Sequence, residues 1–302
     1  MLKCDLMKKW SRKPELKPEI SVVIAAYNRP RELEMCLEGY KKQSVLIQDY
    51  KPFEIILADD GSDPKIEQIF KQFSKEYPFP TTYLYQPDQG WGKLRMLNWA
   101  ILESQSEKII FTDGDCVPHK HFVRAHLLSC KENEVACGRR VDLMEKISKR
   151  ITLRDIGQGK LDSYLFLLQG IFKKEIEFGE KGFYFPSWVS KLLSPFLKNE
   201  EPTILGSNFS IYKNWLFQVN GFDESFETPG LGEDTDLERR LKSSGLSLKW
   251  ITHQAIQFHL WHPLTEVGEK SHKTFEILKQ KGNIKALKGI EELKNLLNRV
   301  KP

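Results

Sequence analysis

The stretch Lys108-Ile109-Ile110-Phe111-Thr112-Asp113-Gly114-Asp115 is a short apolar run that ends in two carboxylates flanking a glycine. An apolar strand closed by Asp-Gly-Asp sets acidic groups at the carboxyl edge of a sheet, where open α/β folds bind their ligands. The glycine lets backbone and ligand approach closely. Hard cations such as Mg²⁺ or Mn²⁺ take one or two carboxylates and complete their shell with phosphate oxygens and water. The same letters also make an ordinary turn, so the rest of the chain has to decide between the two readings.

Upstream, strand and helix patterns alternate. Ile20–Ala25 is a β-rich run, and Asn28 and Pro30 turn it into a helix whose apolar positions Leu33, Cys36, Leu37 and Tyr40 fall on one stripe. Phe53–Ala58 is a second strand, closed by Asp59-Asp60-Gly61-Ser62 and followed by a helix marked by Ile66, Ile69, Phe70 and Phe73. A third strand at Thr82–Tyr85 and a helix through Leu94, Leu97 and Ile101 lead into Lys108–Thr112. Elements of this length in this order imply parallel strands with right-handed crossovers. The fold class is therefore α/β, with a Rossmann-like, nucleotide-binding first half.

Beyond Gly138 the pattern loosens, and five glycines between 157 and 182 break any long helix. Ile204–Tyr212 reads as a further strand and Asp234–Ser243 as a helix. Near the end, Ile284, Leu287, Ile290, Leu293, Leu297 and Val300 share one helical face beside Lys285, Lys288, Lys294 and Arg299. Such a basic amphipathic helix either packs on its own domain or lies on a membrane. The expected division is a basic arm over 1–18, a domain over 19–264 with a nucleotide-binding half (19–140) and an acceptor half (141–264), and a helical tail over 265–302.

Composition sets the outer limits. The 302 residues are 40% hydrophobic and 29% charged, as in an ordinary globular protein large enough to bury a sizeable core. A net charge of +5 is too mild for a nucleic-acid partner, yet suits anionic ligands or an anionic membrane surface. The five cysteines show no Cys-x-x-Cys spacing and read as reduced thiols. No apolar run reaches membrane-span length, and no signal-peptide core stands at the start. The expectation is a cytoplasmic protein, soluble or peripheral on the inner membrane face.

Three loops thus gather at the carboxyl ends of the first, second and fourth strands: Ala25–Pro30, Asp59–Ser62 and Asp113–Asp115. An aromatic ring to stack on a base, a carboxylate to accept the imide N–H of uracil, and a metal site for a diphosphate are all available there. Together these are the requirements of a uridine diphosphate ligand.

The order Val-Val-Ile-Ala-Ala-Tyr-Asn-Arg, Ala-Asp-Asp-Gly-Ser and Phe-Thr-Asp-Gly-Asp resembles the family 2 glycosyltransferases of GT-A fold. The later Gly221-Phe222-Asp223-Glu224-Ser225-Phe226 and Gly232-Glu233-Asp234-Thr235-Asp236-Leu237 resemble the carboxyl half of that superfamily, in its galactosyl- and N-acetylgalactosaminyl-transferring branch. The resemblance covers roughly residues 20–262. It implies an inverting transferase that moves a hexose or N-acetylhexosamine from a UDP-sugar to a glycan or lipid-linked glycan, in the making of a cell-surface polysaccharide or lipopolysaccharide.

The resemblance also implies roles. Ala25, Tyr27 and Arg29 fall at the uridine, Asp60 at uracil N3, and Arg95 where a basic residue meets the nucleotide. Asp115 is the more direct ligand of Mn²⁺ or Mg²⁺, with Gly114 beside it and Asp113 nearer the ribose or donor sugar. Asp234 matches the general base and Glu233 its acceptor-orienting neighbour. His259 falls where this branch supplies a non-carboxylate metal ligand, with His262 as runner-up. Leu231 stands where the galactosyl-transferring enzymes often carry Trp, which leaves the donor sugar open. Two alternatives share the architecture: a silent nucleotide-sugar-binding scaffold, and a sugar nucleotidyltransferase. The latter calls for a glycine-rich basic loop after the first strand, and Ala25–Pro30 is not one.

Overall fold

Alternation along each strand decides which way the first half buries its side chains. Ile20, Val22 and Ile24 face one core with Ile55, Leu57 and Ile110, whereas Val23, Ile56, Ile109 and Phe111 face another on the opposite side of the sheet. Strands buried on both faces are the mark of a parallel sheet sandwiched between helices. The computed structural model describes residues 7–12, 14–47, 51–193, 201–230, 232–263 and 269–300.

The strands are β1 (Lys8–Arg12), β2 (Ile20–Ala26), β3 (Phe53–Asp59), β4 (Thr81–Tyr85), β5 (Lys108–Asp113), β6 (Cys116–Pro118), β7 (Glu134–Cys137), β8 (Arg139–Leu143), β9 (Ile176–Glu177), β10 (Phe209–Tyr212), β11 (Ser247–Trp250) and β12 (Ile256–His259). Among the described residues, one sheet runs β1-β4-β3-β2-β5-β10-β7-β11 and a second runs β6-β12-β8-β9. The pairs β2–β3, β3–β4 and β2–β5 are parallel, and β10 joins β5 antiparallel. Strand order reverses between β2 and β5, so the crevice at their carboxyl ends is the topological switch point where such sheets hold ligands.

Helix Pro30–Lys41 starts on a proline, carries Glu32 in its first turn and Lys41 in its last, and buries Leu33, Cys36, Leu37 and Tyr40. It lies with helix Pro64–Glu76 on one face of the sheet. Helices Lys93–Glu103 and Glu233–Ser243 cover the other face. A third core, around Val141, Leu143, Phe166, Ile256 and Phe258, sits beneath the small sheet.

Three expectations change. The basic arm over 1–18 includes β1, which pairs antiparallel with β4 and stacks Trp10 on Tyr83. The strand expected over Ile204–Tyr212 begins only at Phe209, because the Ile204 and Gly206 amides donate to Glu238 and Asp234 rather than to a neighbouring strand. The tail is not one amphipathic helix. Helices Glu269–Lys281 and Ile290–Val300 are separate; Ile290 and Leu293 are buried in the main core, while Ile284 and Leu287 lie exposed between the helices. Burying two such side chains stabilises by about 1.5–3 kcal/mol each, which favours packing of the last helix on its own domain, one of the two readings of the stripe. Cys36, Cys116, Cys130 and Cys137 are buried free thiols; Cys4 and Leu231 lie outside the described residues. No helix among the described residues is long and apolar enough to cross a membrane.

Candidate active site

Register brings the three loops together. Ala25 pairs with Asp113 across β2–β5 and Ala26 with Asp59 across β2–β3. Beyond the strand ends the Gly114 amide donates to the Ala25 carbonyl at 2.8 Å, and the Asp60 amide to that of Ala26 at 3.0 Å.

Asp59, the last residue of β3, and Asp60 just beyond it point to opposite sides of the sheet edge and divide their work. Asp59 is fully buried and accepts from the Ser62 amide at 2.9 Å and the Tyr83 hydroxyl at 2.7 Å, which fixes the turn. Gly61 sits there at φ +91°, where an added Cβ would stand 2.5 Å from Asp88 Cα; only glycine fits. Asp60 faces the crevice. Its oxygens accept from Gln86 Nε2 at 2.6 Å and the Gly92 amide at 2.7 Å. Burial, aided by Asp88 and Asp59, outweighs these bonds and pushes its pKa up to about 6. Tyr27 is exposed at the rim and donates to Asp88 at 2.8 Å.

A second cluster forms where β6 leaves Asp115. On the small sheet His259 of β12 lies opposite Cys116 of β6 and Asp142 of β8, and the Leu260 amide donates to the Asp115 carbonyl at 2.9 Å. His259 Nε2 thereby stands 3.8 Å from Asp115 Oδ1 and 3.2 Å from His262 Nε2, and His262 Nε2 is 3.5 Å from Asp115 Oδ2. One ligand atom from each of Asp115, His259 and His262 lies within 4.8 Å of the others. His259 Nδ1 meets Asp142 at 3.1 Å, the carboxylate–histidine arrangement that aims the other ring nitrogen at a metal. Two imidazoles and one carboxylate suit a transition-metal dication such as Mn²⁺ better than Mg²⁺, which prefers oxygen. Arg29, expected at the uridine, instead donates to Asp115, and its Nη2 lies 3.0 Å from His262 Nδ1.

Lys93 links this cluster to the carboxylates of the second half. Its Nζ donates to Asp113 at 2.6 Å, and Asp113, Asp234 and Glu233 together raise the ammonium's pKa against the opposing effect of burial. Burial works to raise the pKa of Asp113, but the Lys93 charge and hydrogen bond hold it below the ordinary carboxylate value. Asp234 and Glu233 open helix Glu233–Ser243, whose amino-terminal dipole favours carboxylates. The Gly206 amide donates to Asp234 Oδ2 at 2.7 Å, and Gly206 is packed so tightly that a Cβ would stand 2.6 Å from that oxygen. Burial raises the Asp234 pKa despite Lys93 and the Gly206 amide. Burial and the neighbouring Asp234 charge push Glu233 up to about 7, and Glu233 Oε2 is buried without a hydrogen-bond partner among the described residues. Asp236 is structural: it pairs at 2.7 Å with buried Arg240, which ties the helix to the Val219 and Gly221 carbonyls.

Arg95 does not join the cluster. Its Nε pairs with Glu224 at 2.9 Å, because two residues on a helix lie about 200° apart and Lys93 already faces the crevice. Lys93 was legible as the first residue of the helix after Gly90-Trp91-Gly92. Asp142, and Arg140 whose Nε meets it at 3.0 Å, carry no motif and emerge only from the pairing of β8 with β12.

Comparison with known proteins agrees with this geometry. Residues 21–176 match Glycosyl transferase family 2, and residues 189–263 match the N-terminal domain of galactosyltransferase. A chondroitin synthase of Escherichia coli is 26% identical over 90% of this chain and 40% of its own length. A hyaluronan synthase of Pasteurella multocida is 26% identical over 81% of this chain and 25% of its own length. The chain thus spans less than half the length of these relatives. Among solved structures, the Pyrobaculum calidifontis mannosyltransferase PcManGT, in complex with GDP-Man and Mn²⁺, superimposes with a TM-score of 0.52 at 15% identity, over 83% of this chain and 59% of its own. S. aureus TarS 1-349 gives 0.54 at 14% identity, over 91% and 68%. The fold is GT-A.

Proposed function

The chain belongs to glycosyl transferase family 2, and from that premise we propose that it transfers a hexose or N-acetylhexosamine from a UDP-sugar to a hydroxyl of a glycan, with inversion. The observation that carries the reading is Lys93, bonded to Asp113 on the nucleotide side and under the charges of Asp234 and Glu233 on the other. A donor-binding group and a candidate base thus share one cation.

Asp60 and Tyr27 would take the uracil, the first by its buried carboxylate and the second by its exposed ring. Asp115, His259 and His262 would hold a divalent metal, whose chemistry when bound is Lewis-acid neutralisation of the leaving diphosphate. Lys93 and Asp113 orient the ribose and donor sugar. The acceptor hydroxyl gives its proton to the Asp234 carboxylate. Glu233 Oε2, buried and without a partner, orients the acceptor through a neighbouring hydroxyl. A raised pKa makes Asp234 the stronger base once ionised, and a single displacement inverts the anomeric carbon. The chondroitin and hyaluronan synthases among its relatives support a cell-surface polysaccharide as the acceptor class.

The test is nucleotide-sugar binding and nucleoside diphosphate release over a panel of UDP- and GDP-sugars. A UDP-sugar should bind and turn over, and Asp234→Asn should lower turnover by about 10²–10⁴-fold with donor affinity kept. Turnover unchanged in Asp234→Asn, or binding of no UDP-sugar, would overturn the reading.

A further inference from the structure

Helix Tyr164–Phe172 contains no charged residue. A helix that is apolar all round belongs in a core, yet only Phe166, Leu167 and Gly170 of this one are buried. The other face, at helical spacing, presents Leu165, Leu168 and Phe172 to solvent, with Leu165 64% and Phe172 90% exposed. Beside it, Phe178 is exposed just after β9. The pieces are held together: Gly170 packs on Ile176, Gly179 on Ile171, and Tyr164 donates its hydroxyl to the Tyr184 carbonyl at 2.7 Å. Contiguous exposed apolar surface of this kind marks an interaction site.

We infer that this face docks on an anionic lipid bilayer, with Leu165, Leu168, Phe172 and Phe178 entering the interfacial layer. Charge selects the occupant. Lys173 and Lys174 follow Phe172 directly and are exposed, and Lys181 Nζ stands 4.3 Å from the centre of the Phe178 ring, whereas Lys160 ahead of the helix is paired with Asp155 at 2.9 Å. The exposed carboxylates nearby are Glu177 and Glu180. An apolar face rimmed by lysines, with aromatic side chains among its members, is the composition that seats in lipid headgroups. Pairing with a second copy about a two-fold axis would set one lysine rim against another. The patch is carried by the small sheet: β9 is its edge strand, and β12, which bears His259, lies one strand beyond β8. Docking here would fix the orientation of the crevice relative to the bilayer.

The test is co-sedimentation of the full chain with vesicles of phosphatidylglycerol and phosphatidylcholine, against vesicles of phosphatidylcholine alone. No donor, metal or acceptor is present, so the outcome is independent of the proposed transfer reaction. Binding should favour the anionic vesicles and weaken with salt. Phe172→Glu should reduce it more than tenfold, and Lys173→Gln with Lys174→Gln on the order of tenfold, on anionic vesicles only. Leu165→Gln, at a second exposed position, should act in the same direction, while Leu287→Gln in the tail should have no effect. Thermal unfolding should be unchanged in all four. Absence of binding to anionic vesicles, equal binding by Phe172→Glu, or a solution dimer that Phe172→Glu dissociates would each overturn the inference.

Discussion

Gly206→Ala should disable the base without altering it. Gly206 is not among the residues with positive φ, so alanine is acceptable to its backbone. The obstacle is Asp234: an added Cβ would stand 2.4 Å from Oδ1, 2.6 Å from Oδ2 and 2.8 Å from Cγ. Carbon–oxygen contacts of this kind normally need about 3.3–3.6 Å, so the carboxylate must retreat by roughly 0.9–1.2 Å. The 2.7 Å bond from the Gly206 amide then stretches beyond useful length. A displacement of about 1 Å costs on the order of 10²-fold in rate. The lost bond has a second effect. It favoured the charged form of Asp234, whose pKa burial already raises, so its loss lifts that pKa further. The base works only when ionised, and the acid limb of the rate profile must therefore move to higher pH. The assay is initial-rate release of nucleoside diphosphate from about pH 5.5 to about 9, with UDP affinity measured by calorimetry as control. Turnover should fall about a hundredfold near neutrality and by more in acid, with UDP affinity unchanged. A variant with native turnover and a native acid limb would remove Asp234 from the role of base.

Lys93→Met should weaken donor binding and also shift the acid limb upward, because the same ammonium lowers the pKa of Asp113 and Asp234; an unmoved limb in a steady-state pH profile would detach Lys93 from the base. Asp142→Asn should weaken Mn²⁺ binding by about 10–100-fold in calorimetry, since the carboxylate aims the His259 ring; unchanged affinity would exclude His259 as a ligand. Glu233 holds its proton up to about 7, whereas the unfolded chain releases it in the ordinary carboxylate range. Stability should therefore fall as pH rises through that window, and Glu233→Gln should flatten the slope in denaturant titrations; an equal slope in both proteins would contradict the assignment. Leu293→Ala should destabilise by about 2–5 kcal/mol in thermal or denaturant unfolding, because Leu293 is buried, whereas Leu287→Ala should change stability by less than about 0.5 kcal/mol; equal effects would mean that the last helix does not pack as described.

What the sequence by itself determined is local and periodic. Short runs of apolar, β-branched-rich residues placed Ile20–Ala25, Phe53–Ala58 and Lys108–Thr112 as buried strands, and 3.6-residue stripes such as Leu33, Cys36, Leu37 and Tyr40 placed the helices between them. Asp60, Asp113, Asp115 and Asp234 were legible because each closes a strand or opens a helix in a recognisable string. What only the tertiary structure decided depends on pairing between segments far apart in the chain. The approach of His259 to Asp115 and Asp142 follows from the register of β12 between β6 and β8, and no local pattern records a register across more than a hundred residues. The choice of Lys93 over Arg95 depends on helical phase relative to the crevice, and a periodicity gives relative angles but not the direction of the site. Likewise, apolar residues at helical spacing occur in both Tyr164–Phe172 and Ile290–Val300, and spacing does not say which of them are covered. Packing buries Ile290 and Leu293 in the core and leaves Leu165, Leu168 and Phe172 in solvent, because the hydrophobic effect rewards burial without specifying which partner supplies it.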